Sequence, residues 1–221
     1  MLNKRIPELM TTHEKIAAYA KKIHENNNDG HGFDHVSRVV KLAKQILATE
    51  PLANSDLVIA AAYLHDTYDE KLCANVAKQK QDLAAFLSSL DFSKEKQDKI
   101  FYIIDNMSYS ANLLEKKELD INGQIVQDAD RIDAMGAWGI VRTLEYGWAK
   151  GRTFYDPEIL PEKFENKHTY HQNQGTTLNH FYEKLFLLKD LLNTAHAKKL
   201  AEKRDKIMHD FVTAIEEEYN I

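Results

Sequence analysis

Three observations predict an all-α fold for this chain. Eight glycines and four prolines make 12 of 221 residues, about 5% against a usual share near 12%, too few turn formers for the hairpins of a β-sandwich or barrel. Segment after segment carries apolar residues three and four apart, the period of a helix with one buried face. Residues that cap helices stand ahead of several of these segments.

Thr11 with Glu14 forms a capping-box signature, and Ile16, Ala17, Tyr19 and Ile23 carry the first helix to about Asn26. The polar tract Asn26 to Gly30 ends it. Val36, Val39, Val40, Ala43, Ile46 and Leu47 predict a second helix as far as Pro51, with Asp34 placed to cap its start. Leu57 to Leu64 is apolar without a period. Three consecutive alanines and the Ser55-Asp56 start make it a buried helix, ending at His65 and Asp66. Val76 to Leu90 reads as a further helix, and Ile100, Ile103, Ile104 and Met107 mark another that opens near Ser93. Asp120 to about Lys150 reads as one long helix with Val126, Ala129, Ile132 and Ile140 inward. Residues 151–175 hold Pro157 and Pro161 and no clear period, so a long loop or small lobe is expected, and loops of that length are usually functional. Leu178 to Leu188 and Ala197 to Ile215 then define a C-terminal helical pair.

The chain carries 29 basic and 34 acidic side chains, net −5, which gives no electrostatic footprint for a nucleic-acid polymer. Its longest apolar run, Leu57 to Leu64, is far short of the ~20 residues that span a bilayer. Cys73 is the lone cysteine, and no N-terminal stretch has the make-up of a signal peptide, so a reducing cytoplasm is expected.

The dipeptide His65-Asp66 closes the most apolar helix, where a carboxylate is costly to bury without a partner such as a metal ion. By itself the dipeptide means little, since about 0.8 copies arise by chance in a chain of this composition. A second copy, His209-Asp210, sits among Lys203, Arg204, Lys206, Glu216 and Glu217 on a polar helix and serves as an internal control. The first copy has better company. His35 opens the second helix, and Asp130 shares a helix face with Val126 and Ala134. Two imidazoles and two carboxylates suit Mn²⁺, Fe²⁺, Mg²⁺, Co²⁺, Ni²⁺ or Zn²⁺, and four ligands leave an octahedral ion two open positions for water and substrate. The competing reading is scattered His and Asp satisfied by ordinary hydrogen bonds.

His35, His65-Asp66 and Asp130 resemble the H…HD…D signature of the HD-domain metal-dependent phosphohydrolases, an all-helical superfamily. The likeness covers most of the chain. GHGFDHVSRV at 30–39, AAAYLHDTYDE at 60–70, QDADRIDAMGAWGIVRT at 127–143, GRTFYDP at 151–157 and TTLNHFYEKLFLLKDLLNT at 176–194 are similar to successive motifs of its YedJ-like bacterial branch. Gly32 departs from the pattern, where many relatives carry aspartate. The resemblance implies one HD-domain helical bundle over 1–221, with a metal-binding core at about 12–150, a loop at 151–175 and C-terminal helices at 176–221.

It also implies one divalent ion, Mn²⁺ favoured, because no histidine lies between Asp66 and His168, the interval from which dinuclear HD proteins draw extra ligands. Acidic residues at positions 69 and 70 match those that related hydrolases use to orient water. Asp69, four residues after His65, is therefore the expected general base, provided the helix continues another turn, with Glu70 its alternate. Phosphate oxygens need cations or donors, and the candidates are Arg38, Arg131, His31 and Lys184. Arg131 has Asp128 as a competing partner, and Lys184 can snorkel along a core helix. Phe33 and Tyr155, in expected loops beside the site, are candidates to hold a base, whereas Tyr63, Tyr68, Trp138 and Tyr182 read as core. The expected activity is hydrolysis of nucleotides, favoured as cleavage of nucleoside triphosphates to monophosphate and pyrophosphate. Alternatives are a 5′-nucleotidase, a metal or nucleotide sensor without turnover and, more distantly, an oxygenase. Partners are a small nucleotide, no nucleic-acid polymer and no membrane, with a homo-oligomer left open.

Overall fold

A computed structural model describes residues 10–25, 32–70, 73–113 and 115–220. Among them are ten α-helices and no strand: α1 Thr12–Ile23, α2 Phe33–Leu47, α3 Ser55–Leu64, α4 Val76–Ser89, α5 Lys94–Met107, α6 Ile121–Asp133, α7 Gly136–Ala149, α8 Lys167–His171, α9 Asn179–Glu183 and α10 Ala195–Tyr219. None is long and apolar enough to cross a membrane.

The apolar run that lacked a period is the hub. α3 packs against α1, α2, α5 and α6, so every side of it meets protein and no polar face is required. α2 offers one face, Val36, Val39, Val40, Ala43 and Ile46, to α3 and α6, while α6 also reaches α5 and α10. The capping box at Thr11 and Glu14 is complete, and Ser93 caps α5. α2 differs from expectation. Its N-cap is Gly32, and Asp34 lies inside the first turn, where it pairs with Arg38 at 2.6 Å.

The long helix expected at 120–150 is two, α6 and α7, broken at Ala134 and Met135. Gly136 takes φ +71°, and a Cβ there would stand 2.9 Å from the Arg204 side chain of α10. Arg204 Nη1 donates to the Ile132 carbonyl at 2.6 Å, satisfying the end of α6 across the break. The C-terminal pair is also modified, since its first member is the short α9 followed by two 3₁₀ turns at 185–187 and 189–191. Asp128, buried on α6, accepts from the Asn193 and Thr194 backbone N–H groups and from both side chains, fixing where α10 begins. Within 151–175 the chain forms only α8. The loop's base is closed by Thr177 and Leu178, whose N–H groups donate to the Thr153 and Phe154 carbonyls.

Candidate metal centre and adjoining cleft

α2, the end of α3 and α6 deliver four side chains to one point. His35 Nε2 and His65 Nε2 are 3.1 Å apart. Asp66 Oδ2 lies 3.5 and 3.3 Å from them, and Asp130 Oδ1 lies 3.5 and 3.8 Å from them. Donors about 2.1 Å from one ion stand roughly 3.0 Å apart when cis-octahedral and roughly 3.4 Å when tetrahedral, so the spacing fits a single divalent cation. The tightest group is His35, His65 and Asp66.

The far ring nitrogens decide the chemistry of the near ones. His35 Nδ1 faces the Asp133 carboxylate at 2.8 Å, and His65 Nδ1 faces the Ala62 carbonyl at 2.9 Å. Neither partner can donate, so both Nδ1 atoms carry a proton, and each ring turns its Nε2 toward the other, a lone pair wherever that nitrogen carries no proton. Two lone pairs beside two carboxylates require a cation between them. In the protein alone that cation is a proton: burial opposes it, but Asp66 and Asp130 push the His65 imidazole up to about 9. Burial likewise works against ionised Asp66, yet the two histidines hold it well below the usual carboxylate range.

Asp133 completes the arrangement. It is buried, and besides His35 it accepts from Arg38 Nε at 2.8 Å and Arg142 Nη1 at 3.2 Å. Against the effect of burial, His35, Arg38 and Arg142 hold its carboxyl far below the ordinary range.

The pattern of the HD domain family matches residues 32–135, the interval that contains all four cluster residues and Asp133. YpgQ of Bacillus subtilis, itself described as uncharacterized, is 35% identical over 206 residues, 93% of this chain and 92% of YpgQ. The chain belongs to the HD superfamily of hydrolases. A crystal structure of a Lactobacillus plantarum protein superposes on this HD hydrolase with TM-score 0.88 and 42% identity, covering 96% of this chain and 99% of that one. An HD-superfamily hydrolase of Bacillus thuringiensis gives TM-score 0.70 at 38% identity over 94% and 96% of the two chains. YpgQ has been solved in complex with ADP, with TM-score 0.73 over 93% of this chain and 97% of YpgQ.

The other expected site residues of this HD hydrolase fall in different places. α3 stops at Leu64 and does not continue another turn. Thr67 N–H donates to the Leu64 carbonyl and Asp69 N–H to the Asp66 carbonyl, so three-residue turns replace the four-residue spacing expected between His65 and Asp69. Asp69 is half-buried and Glu70 exposed. Arg38 is engaged by Asp34 and Asp133 and lies over the Trp138 ring at 4.3 Å. Arg131 turns into the core, donating to the Leu191 carbonyl, and burial lowers its pKa. Its expected competitor Asp128 is instead occupied by Asn193 and Thr194. Phe33 is the first residue of α2 and half-buried. Tyr155 sets its ring edge-on to Tyr219 in a shallow groove with Ile215 and Glu218, at the end of α10. His31 lies outside the described residues. Tyr68 is core and donates to Asp105, but Trp138 and Tyr182 are 51% and 40% exposed. The control dipeptide behaves as a surface pair: His209 stacks on Phe186, and Asp210 takes Lys206.

Lys184 lines a cleft of about 670 Å³ between α7 and the segment running from Gly151 to Leu185. Sequence reasoning missed the rest of this cleft. Arg142, Lys150, Arg152 and His180 join Lys184 on its walls, and among the described lining residues there is no carboxylate. Arg142 ties the cleft to the cluster, because the Asp133 that holds it also holds His35.

Proposed function

We propose that this HD hydrolase cleaves nucleotides, favoured as nucleoside triphosphates giving monophosphate and pyrophosphate. The observation that carries the reading is the pair of imidazole lone pairs and two carboxylates meeting at one point beside a cleft whose charged lining is entirely cationic. The ADP complex of YpgQ supports a nucleotide as the ligand class.

His35, His65, Asp66 and Asp130 would hold one divalent ion, with Mn²⁺ favoured. Bound there, it supplies Lewis acidity toward a phosphoryl oxygen and toward water. The protein's own groups do the remainder. Asp133 and the Ala62 carbonyl keep both imidazoles in the tautomer that presents Nε2. Asp69, one tight turn after Asp66, is proposed to accept the proton of the attacking water, with Glu70 its alternate. Arg142 and Lys184 face the space that a phosphate chain would fill, where they favour negative charge developing on the leaving group.

The test is a panel of nucleoside mono-, di- and triphosphates with Mn²⁺, in which orthophosphate is measured with and without added pyrophosphatase. Phosphate that appears from triphosphates only with the helper enzyme is the expected result. Orthophosphate without it, chiefly from monophosphates, would overturn the pyrophosphohydrolase reading and promote a 5′-nucleotidase, and silence across the panel would favour a sensor.

A further inference from the structure

The cleft has two features that separate the part of a nucleotide it takes. The first is charge. A protein of net −5, with 34 acidic side chains, gathers Arg142, Lys150, Arg152 and Lys184 around one cavity and puts no carboxylate among its described lining residues. Glu183, just behind the wall, is occupied by the Asn173 amide and the Glu162 N–H. The second is what the aromatic rings do. Lys150 and Arg152 stand over Tyr146, 5.5 and 5.6 Å from its centroid, and Lys184 stands over Tyr109 at 5.5 Å. Tyr170 is wedged among Tyr109, Phe164 and His180. The rings are therefore covered by the protein's own groups. They serve as pedestals that hold cations in place, and they do not offer a base an open face to stack on.

We infer that this cleft is an oligophosphate subsite, in which Arg142, Lys184, Lys150 and Arg152 grip a chain of phosphates while the nucleoside stays outside it. Arg142 on α7 and Lys150, which caps the end of that helix, are eight residues apart, about 12 Å along the helix axis, so the grip runs along a chain and does not converge on one phosphate. Arg142 is linked to the cluster through Asp133. The identity of the gripped phosphates as the leaving pyrophosphate rests on the triphosphate reading above. The grip itself does not, and it makes phosphate count, not base identity, the basis of selection.

Inorganic tripolyphosphate is the probe, because it has no base. Calorimetry on the full-length Mn²⁺-loaded protein is expected to show tripolyphosphate binding at least tenfold tighter than orthophosphate and weakening steeply with added NaCl. Lys150→Ala/Arg152→Ala should raise the tripolyphosphate Kd about tenfold or more, as loss of charge-assisted contacts does, and leave orthophosphate nearly unchanged. Lys94→Ala/Lys99→Ala, which removes the same charge from α5, should change neither. Tyr146→Leu should weaken tripolyphosphate without altering the ranking of ATP, GTP, CTP and UTP. Should the double variant fail to fold because Arg152 also donates to the Asn173 carbonyl, Lys150→Ala alone, on an exposed side chain, decides. Equal tripolyphosphate affinity in wild type and variant, or a base ranking that shifts in Tyr146→Leu, overturns the inference even if pyrophosphate is released. Conversely, tight tripolyphosphate binding that depends on Lys150 stands even if no triphosphate is turned over.

Discussion

Replacing Asp133 by asparagine removes one charge and keeps the shape, which isolates what that carboxylate does. Its oxygens accept from His35 Nδ1 at 2.8 Å, Arg38 Nε at 2.8 Å and Arg142 Nη1 at 3.2 Å, all in a buried position. The substituted side chain would keep one acceptor oxygen, and its amide N–H groups would then face the guanidinium donors. Losing a hydrogen bond to a charged group costs about 1.5–3 kcal/mol of stability. Loosening the partner of a metal-binding imidazole costs roughly 10–100-fold in metal affinity. Competition with a metal-binding dye gives the Mn²⁺ Kd, and thermal melts in chelator give stability without metal. The wild-type carboxyl lies below its unfolded value, so its contribution is present above about pH 4 and lost as the pH falls through the acid range, and D133N should flatten that part of the acid profile. A melting point that drops while the Mn²⁺ Kd stays within twofold would refute the reasoning, because Asp133 would then support packing and not the ligand.

Four further outcomes follow from the cluster. His65→Ala or Asp66→Ala should abolish bound metal after dialysis and turnover with it, with the helical circular dichroism spectrum retained, whereas His209→Ala, stacked on Phe186 at the surface, should alter neither. Metal must displace the proton that His65 holds up to about 9, so Mn²⁺ affinity should rise about tenfold per pH unit below that value and level off above it. The same raised pKa stabilises the metal-free protein fully below about 6.5 and is lost as pH rises through 9, so metal-free melts should show that decline and metal-loaded melts should not. Asp69→Asn should leave metal content unchanged and slow turnover by ~10²-fold or more, and full activity in that variant would move the base elsewhere, with Glu70→Gln the next variant to assay.

The sequence exposed the ligands better than their supports. His35, His65, Asp66 and Asp130 are spaced over almost 100 residues, yet each lies within or at the end of a helix whose apolar pattern is readable, and the structure brings them together. Asp133 stands three residues from Asp130 and looks like one more acidic side chain of a helix end. Only the fold turns it toward His35, 98 residues away. The break between α6 and α7 was hidden for a similar reason, since the positive φ of Gly136 answers to Arg204 on α10. Arg131 reads as a cation beside a ligand, but the helix carries it inward to the Leu191 carbonyl. The cleft does leave a signal in the sequence. Gly139, Arg142, Thr143, Tyr146 and Gly147, continued by the capping residue Lys150, place glycine and polar groups on one stripe of α7, at spacings of three and four. The opposite wall could not be foreseen from spacing, because Arg152 and Lys184 meet α7 only after Thr177 and Leu178 close the loop on Thr153 and Phe154.

The most direct test of the account follows the oxygen of water into product. The protein is incubated with a nucleoside triphosphate and Mn²⁺ in ¹⁸O-enriched water, and the products are read by mass spectrometry. Attack at the α-phosphorus predicts one ¹⁸O in the nucleoside monophosphate, none in the pyrophosphate released, and no product from His65→Ala. Label in orthophosphate would place the attack at the terminal phosphorus, and undiminished product from His65→Ala would remove the His35, His65, Asp66 and Asp130 cluster from the chemistry altogether.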